Sequence, residues 1–244
     1  MGRYFSAVLC MAALLFYFVP SAEAGEPRTS KNGWDNLSIS VFAGLPTVDM
    51  GDLNAWIDEA NANDETVSVP HLDSDYEWGM RISYSSHPRW RVGLGYTQIM
   101  VSSNGSTAFG PISIEAPANL GEVHLLHLFL PERTLNLGAG ISAGISRVKG
   151  RMEGAFGNPS SPAHSVETFT AGSPVFSGYG AADLRLGSTG SAVLEAGWRF
   201  IELTEAEGQT FSYFYPDGRD VMISHTGFFI RVGLRLTFAW IEFG

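Results

Sequence analysis

The chain has 244 residues, a formal net charge of −10 and only 16 % charged residues, whereas soluble domains average about 25 %. The negative charge disfavours nucleic acid as a partner. Lysine occurs only at Lys31 and Lys149. Because soluble proteins usually cover their surface with lysine and glutamate, this composition favours an outside that faces lipid. Cys10 is the only cysteine, which argues against disulfides and thiolate metal sites, and no cofactor is predicted.

The first 24 residues have the pattern of a secretory signal peptide. Arg3 supplies the positive start, Ala7–Val19 is an uninterrupted apolar run, and Ala22 and Ala24 are small residues where a signal peptidase reads. The apolar run is too short for a transmembrane helix. We therefore expect residues 1–24 to be cleaved after export, leaving residues 25–244 as a single barrel domain.

Eight segments along the rest of the chain alternate between apolar and polar residues, as strands do. The clearest runs from Phe228 to Phe238, where one face is apolar and the other carries Arg231 and Arg235. Its length, at about 3.3 Å per residue and a tilt of about 45°, climbs roughly 23 Å, close to the apolar band of an outer membrane. The predicted strands are 36–46, 75–86, 90–102, 112–130, 134–149, 174–187, 191–204 and 221–239.

The connections alternate between short and long. The short turns are 86–89, 131–133 and 187–190, and the long loops are 47–74, 103–111, 150–173 and 205–220. An up-and-down barrel places all short turns on one side, as transmembrane barrels do with short periplasmic turns and long extracellular loops. A soluble lipocalin-like barrel is the nearest alternative, but its outside would carry the arginines. The segment from His124 to His127 breaks the alternation, which suggests a β-bulge.

The polar faces of these strands predict a charged barrel interior. Because eight strands leave room only for side chains, we expect these charges to pair and plug the barrel; a narrow gated passage is the alternative. A pair between Glu195 and Arg235 is a specific hypothesis. The predicted interior charges are Glu77, Arg81, Arg91, Glu122, Asp183, Arg185, Glu195, Arg199, Arg231 and Arg235. The predicted aromatic girdle is Tyr84, Trp90 and Phe238 at the short-turn rim, and Tyr76, Trp78 and Phe228 at the loop rim.

Three other features could carry binding or catalysis. The loop 47–74 is rich in carboxylates and could bind cations or a basic partner. A solvated loop with a small helix that begins at Asp52 is the simpler interpretation. One face of that helix would carry Leu53, Trp56, Ile57 and Ala60. Ser224, His225 and Glu202 lie near one rim, yet adjacent strand residues point to opposite faces, which disfavours a catalytic triad. The spacing of His124 and His127 disfavours a metal site in the same way.

The signal peptide, the strand count, the loop asymmetry and the final strand from Gly227 to Phe238 resemble the small eight-stranded outer-membrane barrels of Gram-negative bacteria, the group of the OmpA membrane domain, OmpX and the opacity-type proteins. These barrels usually end on an aromatic residue that the insertion machinery reads, whereas this chain continues to Gly244. Two alternatives follow: either Trp240 or Phe243 serves as that residue, or recognition tolerates the extension.

The resemblance implies an all-β, antiparallel, up-and-down transmembrane barrel in the outer membrane. Its partners would be lipid, lipopolysaccharide and the barrel-insertion machinery, with an extracellular ligand possible at loop 47–74. The expected role is structural or interactive and not enzymatic. The alternatives are a narrow passage for small, apolar molecules, as in OmpW-type barrels, and, less favoured, a lipid A-modifying enzyme.

Overall fold

The computed structural model describes residues 36–63, 65–130, 133–158, 161–187, 189–203 and 223–239. The predicted signal peptide, the loop 205–220, and Trp240 and Phe243 lie outside these residues. Within the described part of the chain, no helix is long and apolar enough to cross a membrane. The elements are β1 Asn36–Pro46, α1 Asp52–Asn63, β2 Asp73–His87, β3 Trp90–Thr107, β4 Gly110–Glu115, β5 Ala118–Leu128, β6 Leu135–Asn158, β7 Ser161–Arg185, β8 Gly190–Phe200, β9 Glu202–Leu203, β10 Ile223–Ser224 and β11 Gly227–Ala239.

The strands close into an antiparallel barrel. From β1 to β8 the strands pair in chain order, β8 then pairs with β11, and the ring closes where β11 pairs with β1, with Phe238 opposite Leu37. Strands β9 and β10 form a separate two-stranded sheet between β8 and β11. Strands β4 and β5 together occupy the fourth position, because both pair with β3 on one side and β6 on the other. The barrel therefore has eight strand positions, which confirms the predicted fold class.

The alternation of side chains reverses part of the way along the strands. On β6, the outward residues from Leu135 to Ile145 are apolar and the inward ones are polar or glycine. Beyond that point the outward residues are Arg147, Lys149 and Arg151, while Val148 and Met152 point inward and are buried. The lower part of the strand is thus built to face lipid outside, and the upper part to face water outside.

Two segments that were predicted to be long loops are strands in the structure, and the reversal of the alternation explains why. The segments 103–111 and 150–173 are mostly strand, because β3 continues to Thr107 and the β6–β7 hairpin spans Leu135 to Arg185. Their outward residues are polar because they stand above the lipid, so the lipid-facing pattern that identified the lower strands is lost there.

The predicted bulge at His124 is also wrong. Strand β5 pairs with β3 without a shift from Trp90–His127 to Ile99–Ala118. The apparent break arises because Leu126 and Leu128 are apolar residues that point into the barrel. The register shifts lie instead between β2 and β3, next to Ser74 and Tyr84.

Candidate functional site: the charged interior of the barrel

The interior near the short turns holds a carboxylate between two arginines, which we call the lower charged group (Arg91, Asp183 and Arg235). Arg91 Nη1 donates to Asp183 Oδ2 at 2.9 Å, and Arg235 Nη2 donates to the same oxygen. Arg235 also donates to the hydroxyl of Ser191. Three strands, β3, β7 and β11, are thereby tied together across the barrel.

A second group of the same form lies one level farther from the short turns, and we call it the upper charged group (Arg81, Glu195 and Arg231). Arg81 binds Glu195 in a bidentate manner, with distances of 2.8 and 3.2 Å, and Arg231 Nε donates to Glu195 Oε2 at 2.6 Å. All three residues are buried. Bidentate arginine–carboxylate contacts are the strongest and most directional of ion pairs.

The hypothesised pair of Glu195 with Arg235 does not form. Strands β8 and β11 pair with Glu195 opposite Arg231, whereas Arg235 is opposite Ser191. These two strands are connected at the outer end and not by a short turn, so counting from the short-turn rim did not fix their register. The partner of Glu195 is therefore Arg231, four residues before the predicted Arg235 on β11.

The remaining interior charges lie nearer the outer end or in the middle of the barrel. Arg199 Nη1 donates to Glu77 Oε2 at 2.8 Å, and both side chains are buried. Glu122 accepts hydrogen bonds from the hydroxyls of Ser142, at 2.6 Å, and Ser177, at 3.4 Å. The structure thus buries nine of the ten predicted interior charges wholly or largely, whereas Arg185 is exposed at the short-turn rim.

Aromatic rings surround the arginines. The Arg231 guanidinium lies 4.1 Å from the ring centre of Phe42 and 4.9 Å from that of Phe229, and Arg199 lies 4.7 Å from Phe229. Cation–π contacts of this kind stabilise a desolvated guanidinium. The alternation of the last strand predicts Phe229 on the same face as Arg231, whereas Phe42 and Tyr179 were not predicted to lie in the interior.

The glycines that lie opposite these rings are the feature of the sequence from which the inward aromatic residues could have been predicted. Tyr179 pairs across the strands with Gly140, and a Cβ atom there would lie 2.4 Å from the ring. Phe42 pairs with Gly79 in the same way, where the corresponding distance is 2.5 Å. An inward glycine opposite an aromatic residue makes room for the ring to lie flat across the neighbouring strand.

An apolar cluster covers the charges at the outer end. Leu53 and Ile57 of α1 pack with residues of the upper strands, including Ile99, Ile114 and Phe169. The predicted helix at Asp52 is confirmed, although the side chain of Trp56 lies outside the described residues. Two asparagines on α1, at positions 54 and 61, hold the segment from Val69 to Leu72 through reciprocal backbone hydrogen bonds.

Within the described residues, the histidines and Ser224 do not form a catalytic triad or a metal site. His225 lies just before β11 and is buried, with its Nε2 3.1 Å from the carbonyl oxygen of Ala116. The Ser224 hydroxyl donates to the carbonyl of Ile201. The side chain of Glu202 lies outside the described residues. His124 points inward, whereas His127 points outward onto Trp90. Among the described residues, no three His, Cys, Asp or Glu side chains are placed to hold a metal.

Burial lowers the pKa of His225 to about 4, and the charge of Arg199 acts in the same direction, while the hydrogen bond to Ala116 opposes them. The ring is therefore neutral at physiological pH. A neutral, fully buried histidine at this place is a structural contact between the outer end of β11 and the junction of β4 with β5.

The residues predicted for the aromatic girdle lie on the outside of the barrel. Tyr84, Trp90 and Phe238 are exposed near the short turns, and Trp78 and Phe228 near the outer end, while Tyr76 is half-buried. Trp78 Nε1 donates to Gln98 at 2.9 Å. Further exposed aromatic residues on the described outer surface are Tyr96, Phe129, Phe176, Trp198 and Phe200.

Of three comparisons with known proteins, only the one with solved structures found proteins similar to this chain. No protein-family model matches the chain, and no curated protein does. A solved major outer membrane protein from Thermus thermophilus is 10 % identical with a TM-score of 0.54, and the match covers 84 % of this chain and 99 % of that protein. Ail, the attachment invasion locus protein of Yersinia pestis, gives 12 % and 0.48, covering 84 % and 99 %. OprG from Pseudomonas aeruginosa gives 13 % and 0.47, covering 85 % and 97 %.

The ring of antiparallel strands, its apolar outer belt and the likeness to the Thermus protein together define the class: the chain has the fold of the small outer-membrane β-barrels. The predicted resemblance is thus confirmed for the fold. At these identities the likeness concerns the fold alone.

Proposed function

We propose that this protein is a closed outer-membrane barrel without enzymatic activity, whose role is to anchor the elements that stand above the membrane. The observation that carries the proposal is the filling of the barrel: two arginine–carboxylate–arginine groups lie one above the other, beneath the apolar cluster that α1 covers. The surface elements are α1 with its acidic loop and the extended β6–β7 hairpin.

Physical cost argues against a passage through this interior. A solute would have to separate buried ion pairs such as that of Arg199 with Glu77, and breaking one such pair costs about 3–5 kcal/mol. It would also have to displace buried side chains of the apolar cluster, among them Ile57 and Leu72. A resting barrel with both obstacles is closed to small solutes and water.

Planar-bilayer recording of the purified protein tests the proposal. We expect no reproducible opening steps from the protein as it exists, because both obstacles are in place. A Glu195→Ala variant removes the carboxylate that holds Arg81 and Arg231 but keeps the apolar cluster, so it should stay closed as well. Regular steps from the unaltered protein would overturn the proposal and favour a narrow passage for small, apolar molecules.

The absence of activity is tested separately. The Ser224 hydroxyl donates to a backbone carbonyl and accepts from the amide of Thr226, so it is engaged in the local backbone. Lipid A extracted from cells with the intact protein, with Ser224→Ala and without the protein should be identical. A modification of lipid A that depends on Ser224 would contradict the proposal.

The proposed partners follow from the surfaces. Outer-membrane lipid and lipopolysaccharide contact the apolar belt, the barrel-insertion machinery acts during assembly, and an extracellular ligand binds at the acidic loop 47–74, where Asp58 and Glu59 are exposed.

A further inference from the structure

The barrel interior contains a cavity between the two charged groups. Its volume is about 30 Å³. On the same measure a cavity needs about 10–15 Å³ to hold one water molecule, so this cavity has room for one or two waters or for one small ion. Arg81, Arg231 and Arg235 line the cavity, together with Tyr179 and the carboxylates Asp183 and Glu195. The cavity is too small for a lipid headgroup or a sugar.

The charges that line this cavity do not balance. Four arginines (Arg81, Arg91, Arg231 and Arg235) face two carboxylates, which leaves an excess of two positive charges. Glu122 stands close by and Arg199 is neutralised by Glu77. Histidine aside, the described interior therefore holds five arginines and four carboxylates, an excess of one. Burying an uncompensated charge costs far more than burying a pair.

Hydrogen-bond donors are also in excess. Arg81 Nε, Arg231 Nη1, Arg235 Nε and the Tyr179 hydroxyl have no hydrogen-bond partner among the described residues. Each of these four residues is more than nine-tenths buried and lines the cavity. His124 also lines the cavity, and a neutral ring offers one more donor and one acceptor nitrogen. The unpartnered acceptors of the lining are therefore only this nitrogen and Oδ1 of Asp183. A site that offers donors and net positive charge, and that excludes bulk water, is suited to an anion.

We propose that this cavity binds one small monovalent inorganic anion of the size of chloride. The anion accepts hydrogen bonds from the free guanidinium N–H groups and from Tyr179, and it balances the single excess charge of the interior. It thereby joins the upper and lower charged groups into one network. The site is independent of what the surface loops bind.

Diffraction from protein refolded and crystallised in bromide tests the site directly, because bromide then takes the place of chloride as the interior forms and is visible by its anomalous scattering. We expect an anomalous peak between Arg231 and Arg235. Water alone in the cavity, or bromide bound only at the protein surface, would overturn the proposal.

A solution experiment tests the same site without crystals. The thermal midpoint of the protein in detergent should be higher in chloride or bromide than in gluconate at equal ionic strength, since gluconate is too bulky for the cavity and screening is matched. Equal midpoints in all three salts would overturn the proposal.

Two variants make the solution test specific. Arg235→Gln removes the excess charge and should abolish the halide dependence. Because that variant also disturbs the contact with Asp183, Ser83→Asp is the second: Ser83 lines the cavity, so its new carboxylate takes the place of the anion and should abolish the dependence in a folded protein. Glu153→Gln, in an exposed pair with Arg151, is the control and should keep the dependence. Loss of the halide dependence in the control as well, or its persistence in Ser83→Asp, would contradict an interior site.

Discussion

Arginine is the residue that makes the interior of this barrel possible. Its planar fork presents several donors at fixed angles, so one carboxylate can join two strands through two arginines. Glu195 does this with Arg81 and Arg231, and the aromatic face of Phe42 covers the guanidinium of Arg231. A lysine would offer a single compact charge and neither the bidentate contact nor the stacking.

Neutralising Glu195 should therefore lower the stability of the folded barrel considerably. A Glu195→Gln variant leaves two buried guanidiniums without their common carboxylate, and we expect the free energy of unfolding to fall by about 3–5 kcal/mol. The measurement is urea unfolding of the refolded protein in lipid vesicles. The matched control is Glu153→Gln, whose partner Arg151 is exposed, where the expected loss is less than about 1 kcal/mol. Equal losses in the two variants would contradict the assigned roles.

His225 gives the outer end of β11 a dependence on pH. Its pKa is about 4 in the folded protein against 6.5 ordinarily, so the opened form binds more protons between these values. The stabilisation is complete above about pH 6.5 and declines as the pH falls to about 4, by about 3 kcal/mol in total.

Hydrogen exchange at the His225 amide, which donates to the carbonyl of Ile201, measures this opening once the intrinsic exchange rate is removed. We expect the free energy of opening to fall between pH 7 and pH 5. In His225→Gln the same interval should show little change. A decline of equal size in that variant would assign the pH dependence to another group.

At the scale of the strands, the reversal of the alternation decides which part of the sheet lies in the membrane. On β3 the inward residues change from Gly95 and Thr97 to Ile99 and Val101, and on β5 from Glu122 to Leu120. The same change occurs on β6 between Ser146 and Val148. Where lipid surrounds the barrel the interior can be polar, and where water surrounds it the interior is an ordinary apolar core.

A charge placed on either side of this boundary should report it. Ile141 is outward and 62 % exposed in the lower part of β6, so Ile141→Lys should destabilise the inserted barrel by about 2–4 kcal/mol. Thr170 is outward and exposed on the upper part of β7, directly opposite Lys149, so Thr170→Glu adds a charge there without repulsion and should change the stability by less than about 1 kcal/mol. Both are measured by unfolding from vesicles. If both substitutions were neutral, Ile141 would not face lipid.

The sequence predicts the lower barrel well and the upper part poorly, for the same physical reason. Alternation with apolar residues outside identifies strands such as β1 with its bounds intact, because lipid imposes that pattern over a fixed thickness. Above the lipid the strands continue, but outward residues such as Arg151 and Thr168 then face water and resemble loop residues, so the segment 150–173 was predicted as a loop. The alternation of apolar and polar residues does not contain the register between neighbouring strands. For this reason Glu195 could be predicted to lie in the interior but not to lie opposite Arg231.

At the scale of the whole molecule, three environments meet within one sheet: lipid outside the lower strands, water outside the upper strands, and a filled interior. The lower interior is held by ion pairs and the upper interior by apolar packing under α1. Side chains therefore fill most of the described interior at both levels. Elements above the membrane can vary without disturbing the part that lies within it.

Cysteine labelling tests this arrangement most directly. Single cysteines replace Ile141, Ser142 and Thr170 in a Cys10→Ser background, and a membrane-impermeant maleimide is added to outer-membrane vesicles that contain each folded variant. Ile141 faces lipid, Ser142 is buried beside Glu122 in the interior, and Thr170 faces water. We predict rapid labelling at Thr170 alone. Labelling at Ser142 as rapid as at Thr170 would show a water-filled interior and would contradict the closed barrel.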